Sequence, residues 1–318
     1  MLDYFFCEYL LKYKIMKKFL EYAYHNWEWK NFNDANMSIA THALHYWIWA
    51  FWWLRAVPNP KNSQEFVLFR LDKHTKRLSV SAKYLWADFT QEFIDEKLRE
   101  FLVKNKPNTP IYIRPLVYTS DLDISPRLHN VSKDFLLYWL ELWDYLSPDW
   151  ITCWISSYVR QADVSFPLRW KISGAYITSA LAKTEAYERW YDEAILMNHS
   201  WKVSEGSAMN IFMVRDGVIY TPWVTEDILE WITRDSVIKI ARYLWYEVVE
   251  RPIDKTELFI ADEVFMSWTA AKITPVKKIE QYALPTYRPI FDDLKKTFDE
   301  VIAWNIAEFS DWLTYVKI

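Results

Sequence analysis

Tight turns and helix ends call for glycine, and this chain of 318 residues contains 3 glycines against 20 tryptophans. Ordinary usage of about 7% would put roughly 22 glycines in a chain of this length. Glycines and tryptophans together come close to that number. The tryptophans also stand where glycine is wanted. Trp245 follows an amphipathic run (Val237, Ile240, Ala241, Leu244) and precedes strand-like Tyr246-Glu247-Val248-Val249. That is the position just past a helix, where left-handed backbone geometry favours glycine. A residue with a Cβ costs about 1–2 kcal/mol there. Trp190, after Tyr187-Glu188-Arg189, has the same setting, and Trp201 in Asn198-His199-Ser200-Trp201-Lys202 sits at a tight turn. The pattern predicts that most tryptophans stand where the gene encodes glycine. A code in which UGA means glycine, read as if UGA meant tryptophan, has this effect. The alternative, a protein truly rich in tryptophan, must place bulky rings at many turns at once. Trp312, in Phe309-Ser310-Asp311-Trp312-Leu313, reads instead as an ordinary packed aromatic.

A formal net charge of -4 and the lack of a long basic run exclude a nucleic-acid footprint. No apolar run approaches the length of a membrane span. The first 18 residues are apolar but interrupted by Glu8, Lys12 and Lys14, and lack a small-residue cleavage site, so a signal peptide is not expected. Met16-Lys17-Lys18 is a candidate true start, with residues 1–15 an upstream over-read. Cys7 and Cys153 form neither a disulfide framework nor a metal cluster, which fits a reducing cytoplasm.

Chain punctuation suggests two domains. The regular pattern stops around 140–149, where Ser147-Pro148-Asp149 marks a turn. We expect a small N-terminal domain over 16–142, a linker over 143–149 and a larger domain over 150–318. In the first part, His42 and His45 lack further metal ligands at suitable spacing and read as structural or pocket residues. Phe66 to Leu71 is expected as a buried strand, and 74–78 as the start of a helical stretch carrying Arg77. Residues 92–103 read as a helix, and 111–118 as a strand with Tyr112 and Arg114 on one face, able to bind a carboxylate.

The chemistry concentrates beyond the linker. In Lys171-Ile172-Ser173-Gly174-Ala175-Tyr176, an amine on a short turn stands near a phenol and leads into a helix with apolar residues at 177, 180 and 181. Such an amine is suited to condensing with a carbonyl; a surface lysine before an amphipathic helix is the plainer alternative. Glu205 lies in a small-residue turn before the apolar strand Ile211–Val214, and its burial requires a positive partner. Asp216-Gly217 predicts a hairpin. Trp231-Ile232-Thr233 opens a helix with Thr233 as the expected N-cap, and with glycine at 231 it forms an N–H cup for a phosphate. A second small-residue turn, Ser267-Trp268-Thr269-Ala270-Ala271, can offer a hydroxyl and amides to anions.

In this order and spacing the residues carry a resemblance. The motifs are His42-Ala43-Leu44-His45-Tyr46, Tyr112 to Leu116, Lys171 to Tyr176, Ser204 to Phe212, Ile232-Thr233-Arg234-Asp235 and Ala261 to Val276. From about residue 20 to 318 the chain resembles the class IV aminotransferases, pyridoxal-phosphate enzymes of fold type IV, and among them the branched-chain amino-acid aminotransferases. The resemblance implies an α/β (α+β) fold in two domains and a homodimer or higher homo-oligomer. It implies transamination between leucine, isoleucine or valine and 2-oxoglutarate in branched-chain amino-acid biosynthesis. D-amino-acid transamination or aminodeoxychorismate cleavage on the same fold, or a non-catalytic tryptophan-rich relative, are the alternatives.

It further implies that Lys171 is the catalytic residue and holds pyridoxal 5′-phosphate covalently. Glu205 would then pair with the pyridine nitrogen and Tyr176 with the ring 3-oxygen. Arg77, Ile232, Thr233 and Thr269 would hold the phosphate. Tyr112 with the turn at Thr269-Ala270 would take the substrate carboxylate, and Arg114 the distal carboxylate of glutamate or 2-oxoglutarate. Tyr46, Phe51, Tyr145 and Tyr176 would line the aliphatic pocket; no metal is implied. Relatives carry glycine where this chain has Trp47, Trp53, Trp190, Trp231, Trp245 and Trp268. Ala175 departs from an asparagine often found there, which reads as tolerated variation. Trp231, Trp268 and Trp53, taken literally, would crowd cofactor and substrate.

Overall fold

A computed structural model describes residues 19–141, 150–269 and 272–318. Alternating and continuous apolar runs build two sheets. The N-terminal part supplies β1 (Tyr22–His25), β2 (Glu28–Asn31), β3 (Trp49–Phe51), β4 (Leu54–Asn59), β5 (Asn62–Phe69), β6 (Ile111–Thr119) and β7 (Lys133–Glu141). These lie in the order β5-β4-β6-β7-β1-β2, with β3 also beside β6, and every pairing is antiparallel. A short helix α1 (His42–Tyr46) precedes β3, and α2 (Leu71–Tyr84) and α3 (Gln91–Asn105) follow β5. Leu78 and Ala82 from α2, and Ile94, Leu98, Phe101 and Leu102 from α3, share one core with Leu54, Ile111, Ile113, Phe135 and Leu137 of the sheet.

The second sheet comprises β8 (Ile151–Val159), β9 (Glu193–Met197), β10 (Val203–Gly206), β11 (Asn210–Arg215), β12 (Val218–Thr221), β13 (Val248–Glu250), β14 (Glu263–Trp268), β15 (Lys272–Ile279) and β16 (Tyr282–Ala283). Its order is β10-β9-β8-β15-β14-β11-β12-β13, with β16 on β15. β8 runs parallel to both β9 and β15. Parallel neighbours need a crossover, and α4 (Tyr176–Glu188) provides the one from β8 to β9. Helices α5 (Ile232–Tyr243), α6 (Lys255–Phe259) and α7 (Pro289–Ile302) complete this part. Val237, Ile240 and Ala241 of α5 pack with Phe291, Leu294 and Phe298 of α7 on Phe212 and Phe265 of the sheet. The last strand, β17 (Leu313–Lys317), returns to the first sheet and pairs with β5. Residues 313–317 of the expected large domain therefore belong to the first sheet. The expected linker at 143–149 lies outside the described residues.

Two local expectations need correction. Leu71 is helical, because the chain turns at Arg70 (φ 53°) and α2 starts directly after it. Thr233 is inside α5; the N-cap is Trp231, extended at φ -75° and ψ 139°, whose carbonyl accepts from Asp235 N. Trp312 is buried and carries the Arg70 guanidinium 4.5 Å over its ring, as an ordinary packed aromatic does.

Four helices end in one motif. After α2, α4, α5 and α7 the N–H groups of Trp86, Trp190, Trp245 and Trp304 donate to the carbonyls of Lys83, Tyr187, Arg242 and Val301. The next N–H groups reach the carbonyls of Ala82, Ala186, Ala241 and Glu300. This is the Schellman pattern, which requires a left-handed residue at the tryptophan position. The tryptophan φ values there are 56°, 67°, 64° and 64°. The β1–β2 hairpin repeats the lesson. Its loop, Asn26-Trp27, has φ 52° and 64°, and Asp216-Gly217 in the β11–β12 hairpin has 52° and 78°. Two-residue loops of this kind prefer Asn-Gly or Asp-Gly. Trp47 and Trp201 are also left-handed, at 55° and 58°.

Trp190 and Trp245 are 92% and 94% exposed, so packing does not offset their backbone strain. We expect Trp245→Gly and Trp190→Gly each to raise stability by about 1 kcal/mol in denaturant unfolding. Trp312→Ala, which empties a packed site, should lower it by about 3–5 kcal/mol.

Candidate active site

The two sheets meet around Lys171. The segment before α4 is laced to β3: Phe51 N donates to the Lys171 carbonyl at 3.1 Å, and Ala50 bridges Ile172. Lys171 N donates to Ser81 Oγ on α2 at 3.3 Å. These bonds fix the backbone on both sides, so the buried lysine side chain has one way to run. Its Nζ donates to Tyr176 Oη at 2.6 Å, one turn onward. Burial, reinforced by the positive charge of Arg77, holds the Lys171 pKa well below the usual lysine range; Glu205 pulls the other way. Burial pushes the Tyr176 phenol up. Burial thus favours the uncharged forms of both groups, and the uncharged amine is the nucleophilic one.

Glu205 is buried on β10 and fully engaged. Its Oε1 faces Arg160 Nη2 at 2.9 Å. Its Oε2 accepts from Asn210 Nδ2 at 3.2 Å, Leu229 N at 3.2 Å and Trp231 Nε1 at 3.1 Å. Burial raises its pKa, and Arg160 is the largest influence opposing this. The sequence calls for a positive partner and offers only the cofactor's ring nitrogen, naming no protein cation. Arg160, at the end of β8 and itself buried, is that residue; an arginine closing an apolar strand was the available signal.

Arg77 projects from α2, where burial lowers its pKa to about 10. Its Nε and Nη1 are buried with no hydrogen-bond partner. Ile232 and Thr233 are the first residues of α5, whose leading N–H groups have no acceptor within the helix. Thr233 and Thr269 line one cavity of about 30 Å³. On the other side, Tyr112 Oη is buried without a partner, and Arg114 stands 4.5 Å over the Phe51 ring. Phe51 and Tyr176 rings are 5.2 Å apart. Tyr46 instead packs on His42 at 5.1 Å and donates to the Ile124 carbonyl. His42 has both ring nitrogens engaged, with Thr119 Oγ1 at 2.8 Å and the Ser125 carbonyl at 2.7 Å. Tyr145 and Ala270 lie outside the described residues.

The site is thus a buried amine with its phenol, a buried carboxylate with its arginine, and a cation facing a helix N-terminus. The family profile described as amino-transferase class IV matches residues 62–279. The chain belongs to the class IV aminotransferases. It is 55% identical over 303 residues to a probable branched-chain-amino-acid aminotransferase of Synechocystis, covering 95% of this chain and 99% of that one. It is 33% identical to the branched-chain-amino-acid aminotransferase of Escherichia coli, covering 93% and 98%. Among solved structures, the branched-chain aminotransferase of Thermoproteus uzoniensis with norvaline matches at a TM-score of 0.88 and 31% identity, covering 94% and 99%. The pyridoxal-phosphate form of the Thermobaculum terrenum enzyme matches at 0.88 and 30%, also covering 94% and 99%.

Class IV aminotransferases use pyridoxal 5′-phosphate. The donor set here fits that group: an amine for its carbonyl, a carboxylate for its ring nitrogen, and an arginine with two unpartnered nitrogens for its phosphate. What does not fit is the indole of Trp231, which lies among these residues.

The Arg160–Glu205 pair gives a measurable signature. Arg160→Met leaves a buried carboxylate without its cation and should cost about 3–5 kcal/mol at neutral pH. Glu205 has a folded pKa above 4.5, and losing Arg160 raises it further. The strain is therefore present above that pKa and relieved as the carboxyl protonates. The stability gap between variant and parent should narrow as the pH is lowered and the carboxyl protonates, measured in urea titrations.

Proposed function

We propose that this class IV aminotransferase exchanges amino groups between leucine, isoleucine or valine and 2-oxoglutarate. The carrying observation is the Lys171–Tyr176 pair set beside the Arg160-held Glu205, in a chain 55% identical to a relative named for branched-chain amino acids. The roles proposed for the residues are those that the family resemblance implies. Lys171, whose pKa burial holds well below the usual lysine range, would hold the cofactor through Nζ and would move the proton of the substrate α-carbon. Pyridoxal 5′-phosphate supplies the carbonyl and a ring that accepts the electron pair. Glu205, with Arg160 opposing the upward push of burial on its pKa, would hold the ring nitrogen, and Tyr176 would hold the ring oxygen. Arg77, Thr233, Thr269 and the amides of Ile232 and Thr233 hold the phosphate. Tyr112 receives the α-carboxylate, Arg114 the distal carboxylate of 2-oxoglutarate, and Phe51 with Tyr176 packs the aliphatic side chain.

We also propose a small domain over 16–142 joined through 143–149 to a large one, a homodimer, and a reducing cytoplasmic setting. The buried free thiol of Cys153 is compatible with the last. For the dimer, Ile39, Leu44, Leu122 and Ile124 are exposed near Tyr46, and Thr41 bridges Leu122, which makes one apolar face. Among the described residues no helix is long and apolar enough to cross a membrane.

The form of this chain that binds pyridoxal phosphate should transaminate leucine, isoleucine and valine with 2-oxoglutarate in a coupled assay. Lys171→Ala should lower turnover by more than about 10³-fold. Activity confined to D-alanine, or lyase activity on aminodeoxychorismate, would overturn the substrate assignment. Size-exclusion with light scattering tests the dimer, and Ile124→Glu should shift it towards monomer.

A further inference from the structure

Two indoles stand on the residues assigned to cofactor and substrate. Lys171 Nζ lies 3.6 Å from the centre of the Trp231 ring, while the Nε1–H of that ring donates to Glu205 Oε2 at 3.1 Å. The Arg77 guanidinium is 6.0 Å from the same ring. The indole therefore lies between the amine and the carboxylate, and its N–H takes the carboxylate as a protonated ring nitrogen would. Trp53 does the same on the substrate side: Arg114 Cζ sits 3.6 Å from its ring centre and the Tyr112 ring 4.3 Å away. A flat heteroaromatic ring cannot share that volume with either indole.

Backbone geometry singles out the same residue type for an independent reason. Among the described residues, Trp27, Trp47, Trp86, Trp190, Trp201, Trp245 and Trp304 all have left-handed φ, from 55° to 67°. They occupy helix ends and hairpin loops, the sites where a Cβ is a liability. Room fails at 231 and 53, and φ disfavours a side chain at the other seven. One cause accounts for both: glycine at all nine.

We infer that the working form of this enzyme carries glycine at positions 231 and 53 and at the seven left-handed positions, specified by UGA codons read as glycine, and that residue 231 decides whether the cofactor site is open. With tryptophan there, the chain is a folded scaffold whose own indole occupies the cofactor ring's seat. With glycine there, the Lys171–Glu205 space is free and the amides of Ile232 and Thr233 open to a phosphate. The statement about 231 and 53 rests on the transaminase reading of the site; the one about the turns does not.

The test has three arms. Codons at 231, 53, 245 and 190 should be UGA and that at 312 UGG, and tryptic peptides of the protein from its own cells should carry glycine at 231 and tryptophan at 312. Tryptophan codons and a tryptophan-containing peptide at 231 overturn the inference. Next, the full chain with all its tryptophans, W231G and W231G/W53G are titrated with pyridoxal 5′-phosphate, followed by visible absorbance and by the mass of the borohydride-reduced Lys171 peptide. The parent should take up none and the W231G proteins one equivalent per chain; equal uptake by the parent overturns the inference. W231G/K171A should show no reduced adduct.

The third arm covers a W231G chain that does not fold. W245G and W190G, remote in character and exposed, should each raise the melting temperature, and a fall at both overturns the turn assignment. A W231G/W53G protein that loads the cofactor but leaves branched-chain amino acids untouched sinks the branched-chain substrate reading, and with it the statement about 53, while the statements about 231 and the turns stand.

Discussion

A carboxylate sealed from water is tolerable only with a cation held against it, and Glu205 sets that demand at the centre of this protein. Arg160 meets it at 2.9 Å, two amides and an indole complete the shell, and the shell recruits β8, β10, β11 and the segment before α5. Lys171 stands in the same dry space with the opposite problem. Among the described residues no carboxylate bonds its Nζ; burial holds its pKa well below the usual lysine range, and Nζ donates to Tyr176 Oη. An acid and a base within a single cleft, their titrations shifted in opposite directions by burial, make an arrangement that acid–base chemistry uses.

The second sheet supplies most of that cleft, and the first sheet closes it. Phe51, Arg77, Tyr112 and Arg114 come from β3, α2 and β6. The halves are tied by Arg70, which reaches from the start of α2 to Asp235 and Ser236 on α5 and covers Trp312. A side chain buried to this degree with an ion pair, a hydroxyl and an aromatic face is a rigid strut, and Arg77 and Thr233 stand on the two helices it joins.

Much of this was legible in the sequence. The strands expected at 111–118 and 211–214 and the helix expected at 92–103 are found at 111–119, 210–215 and 91–105, the helix expected to open within 231–233 starts at 232, and Lys171 meets Tyr176. The turn geometry was legible too, since Trp190, Trp201 and Trp245 adopt the left-handed backbone their contexts demand. What escaped depends on distant pairing. Arg160 is adjacent to Glu205 only because β8, β9 and β10 are neighbours in the sheet. The start of α2 at Leu71 depends on a left-handed Arg70, which no local pattern announces. The Trp231 indole between Lys171 and Glu205 is a three-dimensional coincidence of three segments, so crowding could be anticipated but not its hydrogen bond.

β17 carries a consequence for how the molecule comes to exist. It pairs Leu313 with Phe69 and Lys317 with Glu65, sealing the flank of β5. On the ribosome, β5 emerges long before its neighbour is made. Until then, the N-terminal half presents an open strand border, the kind of border through which nascent chains stick to one another. The edge of the first sheet is therefore completed only when residues 313–317 have been made, although its other strands all lie within residues 22–141.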